Sequence, residues 1–292
     1  MKLIKPSIEI LPDINPENLF QQLELYGRVC YKSESKITET SSIKFIQDII
    51  KKGHESILEH ANIILEVSDT LYESISEFNS KFLKFLTLSS MNKNLISGNI
   101  RAWRNFIRER DFFPEIRSIN YFLYRNFPIL FSIPNEDDPF DSTIKLINQN
   151  DLPGIDHKSQ SVRIICDRGV SHELVRHRLC SFSQESTRYC KYQGNYNLIL
   201  PNDWNFDAED QAVAEYLEHY YDRCIQKGRT PQQARYWLPS GYKTELIMTA
   251  PLSEWYHIMQ LRTSKAAHPQ MREIMFLLLP EMKKKYPGIF DD

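Results

Sequence analysis

The 292-residue chain, of 34.5 kDa, is long enough for one large domain or two small ones. Its 41% hydrophobic and 25% charged residues give ample material for a core, and a formal charge of −2 argues against nucleic acid held by bulk charge. The longest strongly apolar run, 274–279, falls far short of the roughly 20 residues that span a bilayer.

The start, Met1 to Pro12, mixes charges and prolines and lacks the apolar centre of a secretory signal, so a soluble cytoplasmic protein is expected. Ser42 to Lys52 has helical spacing at Ile43, Ile46 and Ile50 and stops at Gly53. Ala61 to Val67 reads as a buried strand, and Tyr72 to Phe85 and Ile100 to Arg110 as helices. Turn formers cluster in Phe127 to Gly154, which is expected to be a boundary or long loop. Val162 to Cys166 should be a strand, and Ser171 to Leu179 a helix capped by Ser171 or Asp167. Tyr189 to Leu200 reads as extended, Ala208 to Lys227 as a helix, and Thr230 to Tyr236 as another that starts at Pro231. Lys243 to Thr249 is strand-like, and Leu252 to Leu261 and Pro269 to Lys285 close the chain as helices. Strands and helices without a regular βαβ rhythm predict an α+β fold, a mixed or antiparallel sheet with flanking helices. The spacing around Trp103 in Gly98 to Phe106 repeats around Trp255 in Ala250 to Ile258, a hint of internal duplication.

The five cysteines are odd in number and include no C-x-x-C pair, so reduced thiols, most of them buried, are expected. His54-Glu55 is followed by His60 at i+6, and His172-Glu173 by His177 at i+5. Neither offset brings two imidazoles to one helix face, so no metal site is expected. No glycine-rich phosphate loop of the Walker or dinucleotide type occurs, so a phosphate would be held mainly by side chains. The densest polar stretch is Arg163 to Lys191, with six Lys or Arg against three Asp or Glu. Arginines there offer bidentate contact to phosphate, and the run from Ser181 to Thr187 is rich in hydroxyls and amide, too polar for a core strand. The alternative is a solvated basic face, but this stretch lacks the mixed Lys and Glu of a plain surface. An anion-binding site is the better reading.

Arg176-His177-Arg178, seven residues and then Ser186 resembles the R-H-R-x(7)-S motif of flavin-dependent thymidylate synthases, the ThyX family. Residues 53–60, with His54, Ser56, Glu59 and His60, are similar to the family's H-x-S/T-x-x-E-H segment. Pro231 to Pro239, with Ala234-Arg235 and Leu238-Pro239, resembles its A-R-x-x-L-P segment, and Leu261-Arg262 with His268, Gln270 and Glu273-Ile274 its L-R…H-A-Q-x-E-I close. The resemblance implies an enzyme that methylates dUMP to dTMP with methylenetetrahydrofolate, using FAD for hydride transfer and NADPH as reductant. It also implies a homo-oligomer, a tetramer in the family. Matched residue by residue, it assigns Ser56, Arg176, His177, Arg178 and Gln184 to FAD. Glu173, Arg176, Gln184, Ser186, Thr187, Arg188 and Arg235 fall to dUMP. Arg262 is the catalytic residue, a dUMP contact that favours the N3-ionised pyrimidine.

The chain also departs from the family. The first motif there runs almost directly into the R-H-R helix; here residues 70–160 intervene. The expected division is 1–69 as the N-terminal part of the ThyX-like domain, 70–160 as an insertion with a partial internal repeat, and 161–292 as the nucleotide and flavin core. Such an insertion could replace part of the subunit interface and lower the subunit count. The family's N-x-R flavin contact here reads Pro251-Leu252-Ser253, leaving His257 as the polar ring for the flavin in that region. Asn99-Ile100-Arg101 keeps the element intact, before Trp103. That departure keeps a second reading open, a ThyX-like flavin- or nucleotide-binding protein without methyl transfer.

Overall fold

The computed structural model describes residues 1–78, 86–90, 93–203 and 205–291. Two compact units emerge, one of Met1–Pro12, Tyr26–Ser35 and Gln160–Asp292, the other of Asp13–Leu25 and Lys36–Ser159. They are called the catalytic-loop unit and the N-terminal unit below. The segment 70–159 falls with 13–25 and 36–69 in the N-terminal unit.

In the N-terminal unit the sheet runs β4 (Leu86–Ser89), β5 (Leu95–Asn99), β3 (Asn62–Glu66), β6 (Lys145–Leu146), all antiparallel. Ile63, Ile64 and Leu65 of β3 are all buried, as expected of a central strand. The helix α2 (Ser41–Lys51) turns Ile46 and Ile49 into the core, and Gly53 follows at φ +71, a backbone state glycine adopts without penalty. Helix α3 (Asp69–Ser76) starts earlier than the sequence pattern suggests, because Ser68 accepts from the Leu71 amide and caps it. The rest of the helix expected to Phe85 lies partly outside the described residues. Helix α4 (Ile100–Arg110) is capped by Asn99, whose Oδ1 accepts from the Ala102 amide at 2.8 Å. Helix α5 (Pro114–Asn126) was not foreseen; it opens with proline at its first position, where a missing amide costs nothing. The stretch expected as a long loop, 127–154, is irregular apart from β6 and one 3-10 turn. Trp103 and Phe106 are completely buried at the centre of this core.

The catalytic-loop unit has the sheet order β2 (Ser7–Ile10), β7 (Ser159–Asp167), β10 (Lys243–Pro251), β8 (Ser181–Gln184), with β2 antiparallel to β7 and β8 antiparallel to β10. Seven consecutive residues of β10, Thr244 to Ala250, are buried, and this strand is the unit's spine. A second sheet pairs β1 (Lys2–Ile4) in parallel with β9 (Asn197–Ile199), the only regular strand in the stretch expected to be extended from 189 to 200. Helix α1 (Leu19–Val29) and strands β1, β2 and β8 carried no clear sequence signal. Helix α7 (Ala208–Gln226) begins at a capping box between Asp207 and Asp210. Behind it Tyr192, Tyr196, Tyr221 and Tyr242 form a buried aromatic cluster, with Tyr192 and Tyr196 each within 5 Å of Tyr242. Helices α9 (Leu252–Thr263) and α10 (Pro269–Lys285) complete the unit, and Met271, Ile274, Met275, Leu278 and Met282 give α10 its buried stripe. The whole is α+β with antiparallel sheets, as the sequence pattern predicts.

The two units share one plan. Each sheet reads, from edge to edge, a short strand, the strand leading into a tryptophan helix, a buried strand, and a second edge strand. Trp103 Nε1 donates to the Ile63 carbonyl of β3 at 3.2 Å, and Trp255 Nε1 donates to the Gln160 carbonyl of β7 at 2.9 Å. The next helix starts at Pro114 in one unit and Pro269 in the other. Both helices close alike, with the Phe127 amide on the Leu123 carbonyl at 2.8 Å and the Tyr286 amide on the Met282 carbonyl at 2.9 Å.

Candidate active site

The site residues of the catalytic-loop unit hang on β7, β8 and β10. Strand β7 ends at Asp167, whose Oδ1 accepts from the Val170 amide at 2.8 Å and caps α6 (Arg168–Leu174). That settles the cap in favour of Asp167 over Ser171. The helix also stops at Leu174, short of the expected Leu179, because the chain must turn into β8. Glu173 sits in its last turn, and the turn that follows puts Arg176 and Arg178 outside while His177 points inside, 7% exposed.

Ser181 to Gln184, expected to be too polar for a core strand, forms β8, with Ser181 and Ser183 buried. The backbone there is satisfied by pairing with β10, Gln184 lying opposite Leu246, and the buried Ser183 hydroxyl hydrogen-bonds the Cys30 side chain. Gln184 Nε2 donates to Ser171 Oγ and to Thr244 Oγ1, both at 3.0 Å. Beyond the strand, the Glu185 amide bonds the Glu245 carbonyl at 2.8 Å and the Ser186 amide the Cys30 carbonyl at 2.9 Å. Ser186 Oγ then accepts from the Arg188 amide at 3.3 Å, closing a small turn around Thr187. Arg188 is exposed, and its Nε donates to Gln232 Oε1 at 3.1 Å. Gln232 lies on the short helix α8 (Pro231–Ala234), capped by Thr230 and followed by exposed Arg235. Arg229, Gln232, Gln233, Arg235, Tyr236 and Trp237 line an open concavity of about 500 Å³ beside Arg188.

Arg262, in the last turn of α9, forms the other focus. Its Nη1 donates to Glu173 Oε2 and its Nε to His177 Nε2, both at 3.1 Å, and its Nη2 reaches the Glu173 carbonyl at 3.4 Å. Because Nε2 accepts, the proton of neutral His177 lies on Nδ1, which faces Glu254 Oε1 at 3.6 Å. Burial, the Arg262 guanidinium and His257 together push the His177 pKa down to about 4, so the ring is neutral at pH 7. Burial pushes the Glu254 carboxyl above its ordinary range. Glu254 carried no sequence signal; a carboxylate in the first turn of a helix is otherwise an ordinary residue.

The structure thus brings Glu173, His177 and Arg262 into one hydrogen-bonded group and places Ser186, Thr187 and Arg188 on one turn beside Arg235. The side chains of Arg176 and Arg178 are exposed and make no hydrogen bond or ion pair among the described residues. His257 is exposed on α9. Ser56 lies in the N-terminal unit, exposed in a 3-10 turn (Glu55–His60), and caps no helix there. In that unit Asn99 is spent on capping α4, and Arg101 pairs with Glu59 at 2.5 Å. Arg104 and Arg108 both reach Glu55 at 3.2 Å.

Comparison with known proteins shows the family. The profile of the family described as thymidylate synthase complementing protein matches residues 15–75 and 142–288, well over half of the chain. The chain belongs to that family. Among curated members, the flavin-dependent thymidylate synthase of Sulfurisphaera tokodaii is 35% identical over 126 residues, 42% of this chain and 49% of that one. That of Pyrococcus furiosus is 32% identical over 128 residues, 41% and 52% of the two chains. That of Corynebacterium efficiens is 28% identical over 158 residues, 47% and 63%. The family resemblance therefore spans about half the length of these relatives. A crystal structure of flavin-dependent thymidylate synthase ThyX from Helicobacter pylori, complexed with FAD and dUMP, aligns over 47% of this chain and 74% of that one. Its identity is 20% and its TM-score 0.41. As for metals, no group of three or more His, Cys, Asp or Glu is gathered for an ion among the described residues. His60 and His177 are buried, and His54 and His172 are exposed. No helix among the described residues is long and apolar enough to cross a membrane. The five cysteines are free, with Cys166, Cys190 and Cys224 buried.

Proposed function

We propose that this family member is a flavin-dependent thymidylate synthase. It would methylate dUMP to dTMP with methylenetetrahydrofolate as carbon donor, FAD as cofactor and NADPH as reductant. The observation that carries the reading is the Arg262 fork, held by Glu173 and His177 in the same unit as the Arg188 and Arg235 cations. A dUMP phosphate suits Arg188, Arg235 and the Ser186 and Thr187 hydroxyls, and Gln184 and Glu173 can read the pyrimidine edge. Arg262 is a fixed cation that cannot be deprotonated, so it favours negative charge on N3 of the ring without giving up a proton. The neutral His177 beneath it holds the guanidinium without competing for that charge.

For the flavin, Arg176 and Arg178 fit a diphosphate, since neither is committed to a protein carboxylate. His177, Gln184, Ser56 and His257 are assigned with them. Residues 251–253 fit poorly: α9 has no side-chain cap, and Pro251 lacks the side-chain acceptor that Asn99 shows in the other unit. When bound, FAD supplies the hydride. The matching sheet plans further support reading the N-terminal unit as a diverged copy of the catalytic-loop unit without the R-H-R segment. We place the protein in the cytoplasm as a homo-oligomer, with fewer subunits than the family's tetramer because each chain carries two such units.

The test is dTMP formation from dUMP with FAD, NADPH and methylenetetrahydrofolate, followed together with the flavin absorption band. The substitution of Pro251-Leu252-Ser253 for a polar element favours one second reading, a flavin- or nucleotide-binding protein without methyl transfer. Purified protein that is yellow and binds dUMP but forms no dTMP would establish that reading instead. Colourless protein with no dUMP affinity would sink both.

A further inference from the structure

We propose that Lys32 is a positioning residue for the nucleotide loop, cross-linking Glu185 beside Ser186 to Glu245 of β10. The inference rests on the reading of Ser186 to Arg188 as the phosphate contact, but its structural part stands apart from it. Three independent observations in the catalytic-loop unit lead to it.

The first is backbone conformation. Lys32 has φ +50 and is the only non-glycine residue in the left-handed region among the described residues. A side chain with a Cβ pays a steric penalty there, so glycine would be the ordinary choice, and such outliers persist where surrounding contacts over-determine them. Something must hold a lysine in this state.

The second is charge. Glu185 and Glu245 are 3% and 2% exposed, so neither carboxylate is screened by water. The Lys32 ammonium bonds Glu245 and lies 3.7 Å from Glu185 and 3.8 Å from Glu34. Lys243 reaches Glu185 at 2.7 Å and Glu245 at 3.5 Å, and Arg163 reaches Glu245 at 2.6 Å and Glu9 at 3.4 Å. Taking away the Lys32 cation leaves surplus negative charge in a dry site next to the loop that must accept an anionic phosphate.

The third is docking. The segment 30–32 lies directly on the loop, through the Ser186 amide on the Cys30 carbonyl at 2.9 Å and the Tyr31 and Tyr189 rings 5.3 Å apart. The Glu185 amide binds β10. Lys32 and Lys243 each reach both the loop residue Glu185 and the strand residue Glu245, but of the two only Lys32 belongs to the segment docked on the loop, so it ties loop, spine and that segment together. Nothing in the chemistry asks Lys32 to touch substrate; it acts through the loop.

The experiment compares Lys32→Gly, Lys32→Arg, Glu185→Gln and the double variant Lys32→Gly/Glu185→Gln in the full chain. Glycine suits the backbone state, so the fold should survive, and glutamine removes one buried charge while keeping the shape of Glu185. Two readouts are taken, dUMP affinity by calorimetry and hydrogen exchange of amides 185–190 without ligand. Lys32→Gly should raise the dUMP dissociation constant about tenfold or more and speed exchange at 185–190; Lys243 and Arg163 keep the two buried carboxylates paired, so the melting temperature should change little, and the added negative charge beside the loop is what drives both effects. The double variant should recover most of both losses because the surplus charge is gone, and Lys32→Arg should fall between wild type and Lys32→Gly. Unchanged exchange and affinity in Lys32→Gly overturn the proposal, as does a double variant worse than either single change. Wild-type protein that binds no dUMP refutes the proposed function, and the exchange data then decide the role of Lys32 alone.

Discussion

Replacing Arg262 by lysine separates positioning of charge from charge itself. The arginine makes three hydrogen bonds, to the Glu173 carboxylate, the Glu173 carbonyl and His177 Nε2. A lysine ammonium lacks the planar fork and keeps the carboxylate while losing the other two. At about 0.5–1.5 kcal/mol for each ordinary bond, the loss lies between 1 and 3 kcal/mol. Side-chain exposures of 17% for Arg262 and 28% for Glu173 put it at the lower end, since water replaces part of what is lost. That is about 1–2 kcal/mol, a few degrees in melting temperature for a chain of this size. Function should suffer more. If the guanidinium is aimed at charge that develops on the pyrimidine, Arg262→Lys should lower turnover about 10²-fold. It should leave dUMP affinity within about tenfold, because a cation remains. Steady-state kinetics beside calorimetric dUMP titration read the two separately. Equal losses in turnover and affinity would make Arg262 a plain binding residue, and an unchanged melting temperature would mean that the fork contributes nothing to the fold.

Arg188→Ala should weaken dUMP binding by about 1.5–3 kcal/mol, the worth of a charge-assisted hydrogen bond, with no change in melting temperature, since Arg188 is exposed; unaltered calorimetric affinity would detach this loop from the nucleotide. Asn99→Ala should cost about 1 kcal/mol by removing the α4 cap, while Arg101→Ala, an exposed pair with Glu59, should cost less than about 1 kcal/mol; equal urea midpoints for the two variants would contradict the cap. His177 titrates near pH 4 when folded and near its ordinary 6.5 when unfolded, so the unfolded chain takes up its proton first. Its contribution is full above pH 6.5 and is lost as pH falls toward 4. Chemical denaturation between pH 7 and 4 should show that slope reduced in His177→Gln, and an identical slope would mean that the ring is not held neutral.

Much of the local structure was legible in the chain alone. Long amphipathic helices such as α7 and α10 announce themselves by periodicity, proline starts and capping residues, all of which act within a few residues. Strand β10 carries the apolar run Leu246 to Met248 because it is buried on both faces. The motif around Arg176 to Arg188 located the candidate site, because phosphate recognition without a glycine-rich loop demands clustered arginines and hydroxyls. Strand β8 stayed hidden for the opposite reason: its serines look like loop, and the partners that satisfy its backbone and the Ser183 hydroxyl come only with the fold. The ends of α6 and of the expected Tyr72 to Phe85 helix were misplaced because Asp167 and Ser68 set the starts, and the turn into β8 sets the end of α6.

What only tertiary structure decided is who faces whom. No spacing rule joins Arg262 to Glu173 and His177, or Lys32 to Glu185 and Glu245, since these partners lie far apart along the chain and meet through the fold. The ionic contacts that hold Lys32 in a glycine-like conformation are largely invisible in sequence, because a left-handed lysine is disfavoured by local sterics and the buried carboxylates that face it, Glu185 just past β8 and Glu245 on β10, are brought there by the fold. The shared plan of the two units showed in sequence as one faint repeat around a tryptophan. Its physical basis is the indole donating to a neighbouring strand's carbonyl, an interaction that fixes geometry while leaving most surrounding residues free to diverge.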